Sequence, residues 1–308
     1  MFYLEELTKD HINDNIFLSE NLKNFLKNYW IKENKKLWGV CVKNINGDIV
    51  ALTIALPEES GPESAIITGI MISTAYKNIP LKKDMLLRLE NILKREGIKK
   101  LNLNIWHTKY NKESFENMVK ILKELKWHRI EKMYYSYFIK LDFKIIKKQR
   151  WYSQGSEKLL PPSFELFSWT ELKQEEREFL KSIKEIMESK MYYLDPLVVE
   201  NYHYKTSWGI RDKKSNKVFS WLITEAREDG GLLLKRLFTL PEYRGKSFWT
   251  AILFRKCIEM ASEEFKYIWF NVVTQNKKVK KKFENLLDPI IALKADCYIC
   301  EKDISYGS

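Results

Sequence analysis

The residues best suited to chemistry lie together in one stretch, Leu234-Lys235-Arg236-Leu237-Phe238-Thr239-Leu240-Pro241-Glu242-Tyr243-Arg244-Gly245-Lys246-Ser247-Phe248-Trp249. An apolar strand runs into a turn, and the turn opens a helix. The first N–H groups of a helix have no partner inside it and point outward; with the helix dipole they make an anion site. Arg244 and Lys246 add positive charge, so a diphosphate fits there, as does a basic helix cap with no ligand. Three side chains qualify as acid–base groups: Glu225 at the end of a β-rich run, Glu242 in the turn, and His203 in Asn201-Tyr202-His203-Tyr204. Each also reads as an ordinary surface or packed residue. Five lysines, Lys277, Lys278, Lys280, Lys281 and Lys282, flank a later helix start. They fit a ribose phosphate or a solvated face equally well.

These residues need elements to hold them. In the second half the patterning predicts strands at 164–169, 232–238, 267–273 and 290–299, a hairpin at 207–211 and 218–225, and helices at 174–189, 248–262 and 279–287. The first half has the same order: a helix at 14–32, a hairpin at 37–42 and 49–56 around Asn46-Gly47, strands at 65–72, 100–106 and 133–141, and helices at 81–95 and 113–125. Gly97 marks a helix stop. Trp38-Gly39 falls on Trp208-Gly209, and Leu52 on Leu222, at an offset of 170; Tyr76, Arg88, Lys99 and Asn104 fall on Tyr243, Arg255, Lys266 and Asn271 at 167. The shared order indicates a tandem duplication. The expected fold class is α/β, with a mixed α+β sheet in each of two domains, 1–142 and 163–308. Residues 143–162, basic and then holding Gly155 and Pro161-Pro162, read as a linker.

Pro241 to Lys246 resembles the acyl-CoA-binding turn of the GNAT N-acetyltransferase superfamily, and the element order extends the resemblance over each half. The resemblance implies two tandem GNAT-like domains and an acetyl-CoA or other acyl-CoA co-substrate. It implies contacts from Leu237, Phe238, Thr239, Arg244, Gly245, Lys246, Ser247, Phe248, Trp249 and Asn276. Ser247 and Trp249 stand where the family has small residues that let phosphates approach. In the first half Asn78 replaces the first glycine and Pro80 removes an N–H. The C-terminal copy is therefore expected to hold the donor, and the N-terminal copy to be structural or acceptor-binding. The family often has an Asn followed seven residues later by a Tyr that protonates the leaving thiolate; here Asn276 is followed by Phe283.

The resemblance implies an N-acyltransferase acting on a primary amine of a small molecule or peptide. Two alternatives stay open: transfer from tRNA or an acyl carrier protein, which the net charge of +12 would suit, and a non-catalytic ligand-binding tandem. The sequence lacks an apolar run of membrane-spanning length and a secretory-type start, so a cytoplasmic location is expected. Four cysteines in 308 residues do not make a disulfide framework. Cys297 and Cys300 read as plain buried thiols rather than metal or redox groups, and no metal is expected.

Overall fold

A computed structural model describes residues 2–13, 23–24, 26–58, 61–186, 195–199, 201–227, 229–245 and 248–305. The strands are β1 (Tyr3–Glu6), β2 (Trp38–Lys43), β3 (Ile49–Glu58), β4 (Gly61–Ile72), β5 (Lys100–Thr108), β6 (Arg129–Lys140), β7 (Phe164–Ser168), β8 (Trp208–Asp212), β9 (Lys217–Ala226), β10 (Leu232–Thr239), β11 (Tyr267–Val273) and β12 (Ile291–Asp303). The longer helices are α1 (Leu81–Arg95), α2 (Lys112–Glu124), α3 (Gln174–Ile186), α4 (Trp249–Ala261) and α5 (Lys277–Leu287). Part of the helix expected at 14–32 lies outside the described residues; Lys27–Lys32 is a π-helical turn.

Helix α1 illustrates how the sequence dictates its elements. Met85, Leu86, Leu89, Ile92 and Leu93 form a buried stripe at helical spacing. The helix is stopped by Gly97, whose φ of 79° a side-chain-bearing residue rarely adopts. Ile98 N–H bonds Leu93 C=O and Gly97 N–H bonds Lys94 C=O, the paired bonds of a Schellman cap.

The chain forms two compact units, residues 1–134 with 295–308, and residues 135–294. These boundaries differ from those read in the sequence, and the difference is a strand exchange. In the first unit β5 pairs antiparallel with β12, from Ala295 opposite Thr108 to Asp303 opposite Lys100. Ile304 N–H then bonds Lys99 C=O at 2.7 Å. In the second unit the end of β6 takes the matching place beside β11: Leu141 N–H bonds Lys266 C=O at 3.3 Å. Lys266 is the counterpart of Lys99, so each half receives its last strand from the other. Residues 143–155, read as linker, belong to the second unit's core. Ile146 and Trp151 are buried, and Gly155 lies so close to α4 that a Cβ there would stand 2.4 Å from the Ala251 carbonyl oxygen. Phe143 and Tyr152 pack against the same core, so apolar side chains set among the basic ones hold the segment down.

Pairing registers expose the internal repeat more sharply than residue identities. Parallel pairs Ala65–Leu101, Ile66–Asn102 and Ile67–Leu103 in the first unit become Leu232–Ile268, Leu233–Trp269 and Leu234–Phe270 in the second, a shift of 167 in both members. Each unit has a bulge just beyond, at Thr68 and at Lys235. Traced outward from the bulge, Ile54 matches Ile223 and Val40 matches Trp208. The Trp38-Gly39 identity with Trp208-Gly209 is therefore two residues out of structural register, and Leu222 matches Thr53 rather than Leu52.

Candidate functional site

In the second unit β10 and β11 run parallel only as far as Leu234 and Phe270. The bulge at Lys235 turns β10 away from its neighbour, and the strands part. Glu225, opposite Leu233 on β9, pairs with Lys235 at 2.9 Å. Of the three proposed acid–base groups it is the one beside the split.

Beyond the split, Pro241–Tyr243 forms a tight helical turn in which Tyr243 N–H bonds Leu240 C=O. The Tyr243 ring stacks on Phe219, centroids 4.0 Å apart. Arg244 Nε donates to Thr239 C=O at 2.8 Å, and its guanidinium lies over the Phe238 ring. Gly245 has φ 76°, with nothing within 4 Å of a would-be Cβ; backbone conformation, not space, calls for glycine there. Lys246 and Ser247 lie outside the described residues. Phe248 precedes α4 and is exposed, whereas Trp249, its first residue, is buried. The indole packs edge-on against Phe164 and Phe219, and its Nε1 donates to Tyr243 C=O at 2.8 Å. It belongs to the core beneath the turn and does not project from it.

Other proposed residues have local duties. Phe238 and Thr239 are buried, and Leu237 packs against the same core. Asn276 caps α5 by accepting from Val279 N–H at 3.3 Å. Phe283 lies against Phe270. Glu242 is exposed in the turn. His203 sits elsewhere: its Nε2 faces Glu264 at 3.2 Å, its Nδ1 meets Thr206 Oγ1 at 2.8 Å, and its ring packs against Phe265. Glu264 and Phe265 follow the C-terminus of α4, whose 13 residues extend for about 20 Å from the turn at its start. Burial holds the His203 imidazole below its usual pKa, while Glu264 opposes that shift. The unfolded chain thus takes up the proton first as pH falls through about 6.5. Stability of this unit is expected to fall in that window, and His203→Gln to flatten the fall in thermal melts taken across it. Glu264, held below its usual value by its bond from Lys205, contributes a further loss below about pH 4.5.

Sequence reading missed Tyr137. It comes from the exchanged strand β6, stacks on Phe270 at 5.1 Å, and donates to Glu284 Oε1 at 3.3 Å. A phenol thus stands near Phe283, which has none. No sequence signal marks it, because β6 reads as a strand of the first half.

The thiols are inert in character. Burial pushes Cys297 up to about 11 and Cys300 up to about 12. One mixed group, Glu5, His11 and Cys41, converges in the first unit. Its members already have partners: Lys43 binds Glu5 at 2.7 Å, and Thr8 N–H donates to His11 Nδ1 at 3.1 Å. Among the described residues no helix is long and apolar enough to cross a membrane.

No protein-family model matches the sequence, and no curated protein does. Solved structures match it from end to end. A tandem GNAT protein from the clavulanic acid biosynthesis pathway, solved without acetyl-CoA, superposes with a TM-score of 0.65 at 10% identity over 100% of both chains. A GCN5-related N-acetyltransferase from Sphaerobacter thermophilus gives 0.59 at 9% identity, covering 100% of this chain and 97% of that one. A GCN5-related glucosamine N-acetyltransferase region of a fungal multi-domain GH3 β-N-acetylglucosaminidase gives 0.62 at 10% identity, covering 97% of this chain and 38% of that one. The fold is the GNAT fold, present twice in tandem.

Proposed function

We propose that this chain is an N-acyltransferase that moves an acetyl or longer acyl group from CoA to a primary amine of a small molecule or peptide, with the donor in the second unit. One observation carries the reading: the split between β10 and β11 leads along β10 to a turn with Gly245 in the left-handed region and then to the start of α4. A thioester fits the split and a diphosphate the turn. Main-chain N–H groups freed by the bulge at Lys235 would polarise the thioester carbonyl. Glu225 would accept the proton of the attacking amine, which displaces the CoA thiolate directly. Positioning supplies most of the rate. The first unit is read as structural or acceptor-binding, because Pro80 stands immediately before α1 and offers no N–H.

Calorimetric titration with acetyl-CoA tests the donor. The chain is expected to bind it, and Arg244→Ala to weaken binding about tenfold, the scale of one charge-assisted contact. No binding by the unsubstituted chain would remove the reading. A second reading, transfer from tRNA or an acyl carrier protein, is favoured by the exposed Lys277, Lys278 and Lys281 at the start of α5 and the net charge of +12. Tight, salt-sensitive binding of either macromolecule, with none of acetyl-CoA, would select it.

A further inference from the structure

The residue at the mouth of the split is an asparagine. Parallel pairing ends at Leu234 and Phe270, so Asn271 is the first residue of β11 past the last pair. Strand alternation puts it on the face of Tyr267 and Trp269, away from Phe270 and the rings stacked on it. It is exposed, yet held from behind. Ser136 Oγ donates to its Oδ1 at 2.7 Å, and Trp269 Nε1 donates to the same atom at 3.1 Å. Trp269 is itself fixed, stacked on Phe138 with rings 5.3 Å apart and 10° from parallel, with the Arg227 guanidinium at 4.5 Å. An indole N–H can only donate. The amide atom facing it must therefore be oxygen, which leaves the NH2 as the group Asn271 has to offer.

The first unit repeats the placement. Its parallel pairing ends at Ile67 and Leu103, and the next residue is Asn104. The two halves have few residues in common, yet an asparagine stands at the same point of both splits.

We infer that Asn271 donates a side-chain N–H to a carbonyl oxygen of a substrate seated where β10 and β11 part, with the stacked Trp269 and Phe138 rings as a flat wall beside it. This rests on the acyl-transfer reading and deepens it by naming the substrate feature recognised, an amide or thioester carbonyl. Two sources supply that chemistry: the pantetheine arm and acyl group of the donor, or a peptide-like acceptor.

Asn271→Asp is the diagnostic substitution. A carboxylate still accepts from Ser136 and Trp269 but cannot donate. Asn271→Ala removes the donor without adding charge. The experiment titrates acetyl-CoA into the unsubstituted chain and both variants by calorimetry. It also follows amine-dependent release of the CoA thiol over a panel of amines and short peptides, with melting temperatures alongside. Asn271→Asp is expected to melt with the unsubstituted chain, and both variants to lose about tenfold in kcat/KM, the scale of one hydrogen bond to substrate. A raised Kd for acetyl-CoA assigns the contact to the donor. An unchanged Kd with a raised KM for the amine assigns it to the acceptor. Unchanged Kd, KM and kcat in Asn271→Ala would overturn the inference, including the case in which Asn271→Asp alone is impaired, since that reports repulsion. Failure of the unsubstituted chain to bind acetyl-CoA would appear before any substitution was made, and would count against the acyl-transfer reading itself.

Discussion

A chain ending at Lys294 is expected to lose the folded structure of its first unit, although it would retain all of residues 1–134. The missing residues complete that unit. β12 covers the whole length of β5, from Lys100 to Thr108, and without it β5 becomes a bare edge. Cys297, Cys300 and Ile304 are 5%, 0% and 1% exposed, and the last two pack in the core with Leu101, Leu103 and Leu122. Burial of Ile304 alone contributes about 1.5–3 kcal/mol, and the two thiols add to it. Lys302 binds Glu90 at 2.6 Å, where Glu90 is nearly inaccessible. Stranding that carboxylate without its cation costs about 3–5 kcal/mol more. The combined loss is comparable with the whole stability of an ordinary domain, about 5–15 kcal/mol. Limited proteolysis read by mass spectrometry is expected to show cuts throughout 26–58 and 61–134 in the truncated chain and none within those described segments in the full chain. Protection of both segments after truncation would show that the strand exchange is not needed for folding. The single substitution Lys302→Ala isolates the ion pair and should lower stability by about 3–5 kcal/mol.

Trp249→Ala carries the second large effect, and its sign is instructive. The resemblance to the acyl-CoA turn makes alanine at this position look like a repair, because small residues there admit phosphate. The structure predicts damage. The indole packs edge-on against both Phe164 and Phe219 and ties Tyr243 C=O to the start of α4. Truncating such a ring costs about 3–5 kcal/mol, or about 6–20 °C in melting temperature for a unit of this size. Acetyl-CoA binding should weaken with it, since the turn loses its tether. A variant that melted normally and bound acetyl-CoA more tightly would show instead that the ring obstructs the site.

How much of this was legible in the sequence follows from what periodicity can and cannot report. The stripe of α1, the alternation of β5 and the strand–turn–helix around Pro241 are local patterns, and the sequence carries them plainly. Strand exchange is not local. The alternation of β6 and of β12 says that each is a strand; which sheet accepts it depends on contacts far along the chain. For that reason neither the boundaries of the two units nor the place of Tyr137 beside Phe270 is written in any local pattern. The segment 143–155 reads as linker because Lys144, Lys147, Lys148 and Arg150 make it basic ahead of Gly155, yet Ile146 and Trp151 are buried and Phe143 and Tyr152 pack against the same core. Trp-Gly identity aligns the hairpins two residues away from the pairing register, which the bulges at Thr68 and Lys235 set. His203 shows that residue type is a weak guide to place: its partners Glu264 and Thr206 tie it to the far end of α4.

Acyl transfer to an amine at the split of the second unit would be read as release of free CoA thiol from acetyl-CoA by the purified chain, measured with a panel of primary amines and with none. The expected result is release that requires both amine and enzyme, is abolished by Gly245→Val, whose branched side chain opposes the left-handed backbone at that turn, and yields one acylated amine per thiol. Thiol release that ignores the amine, or that persists undiminished in Gly245→Val, would contradict it.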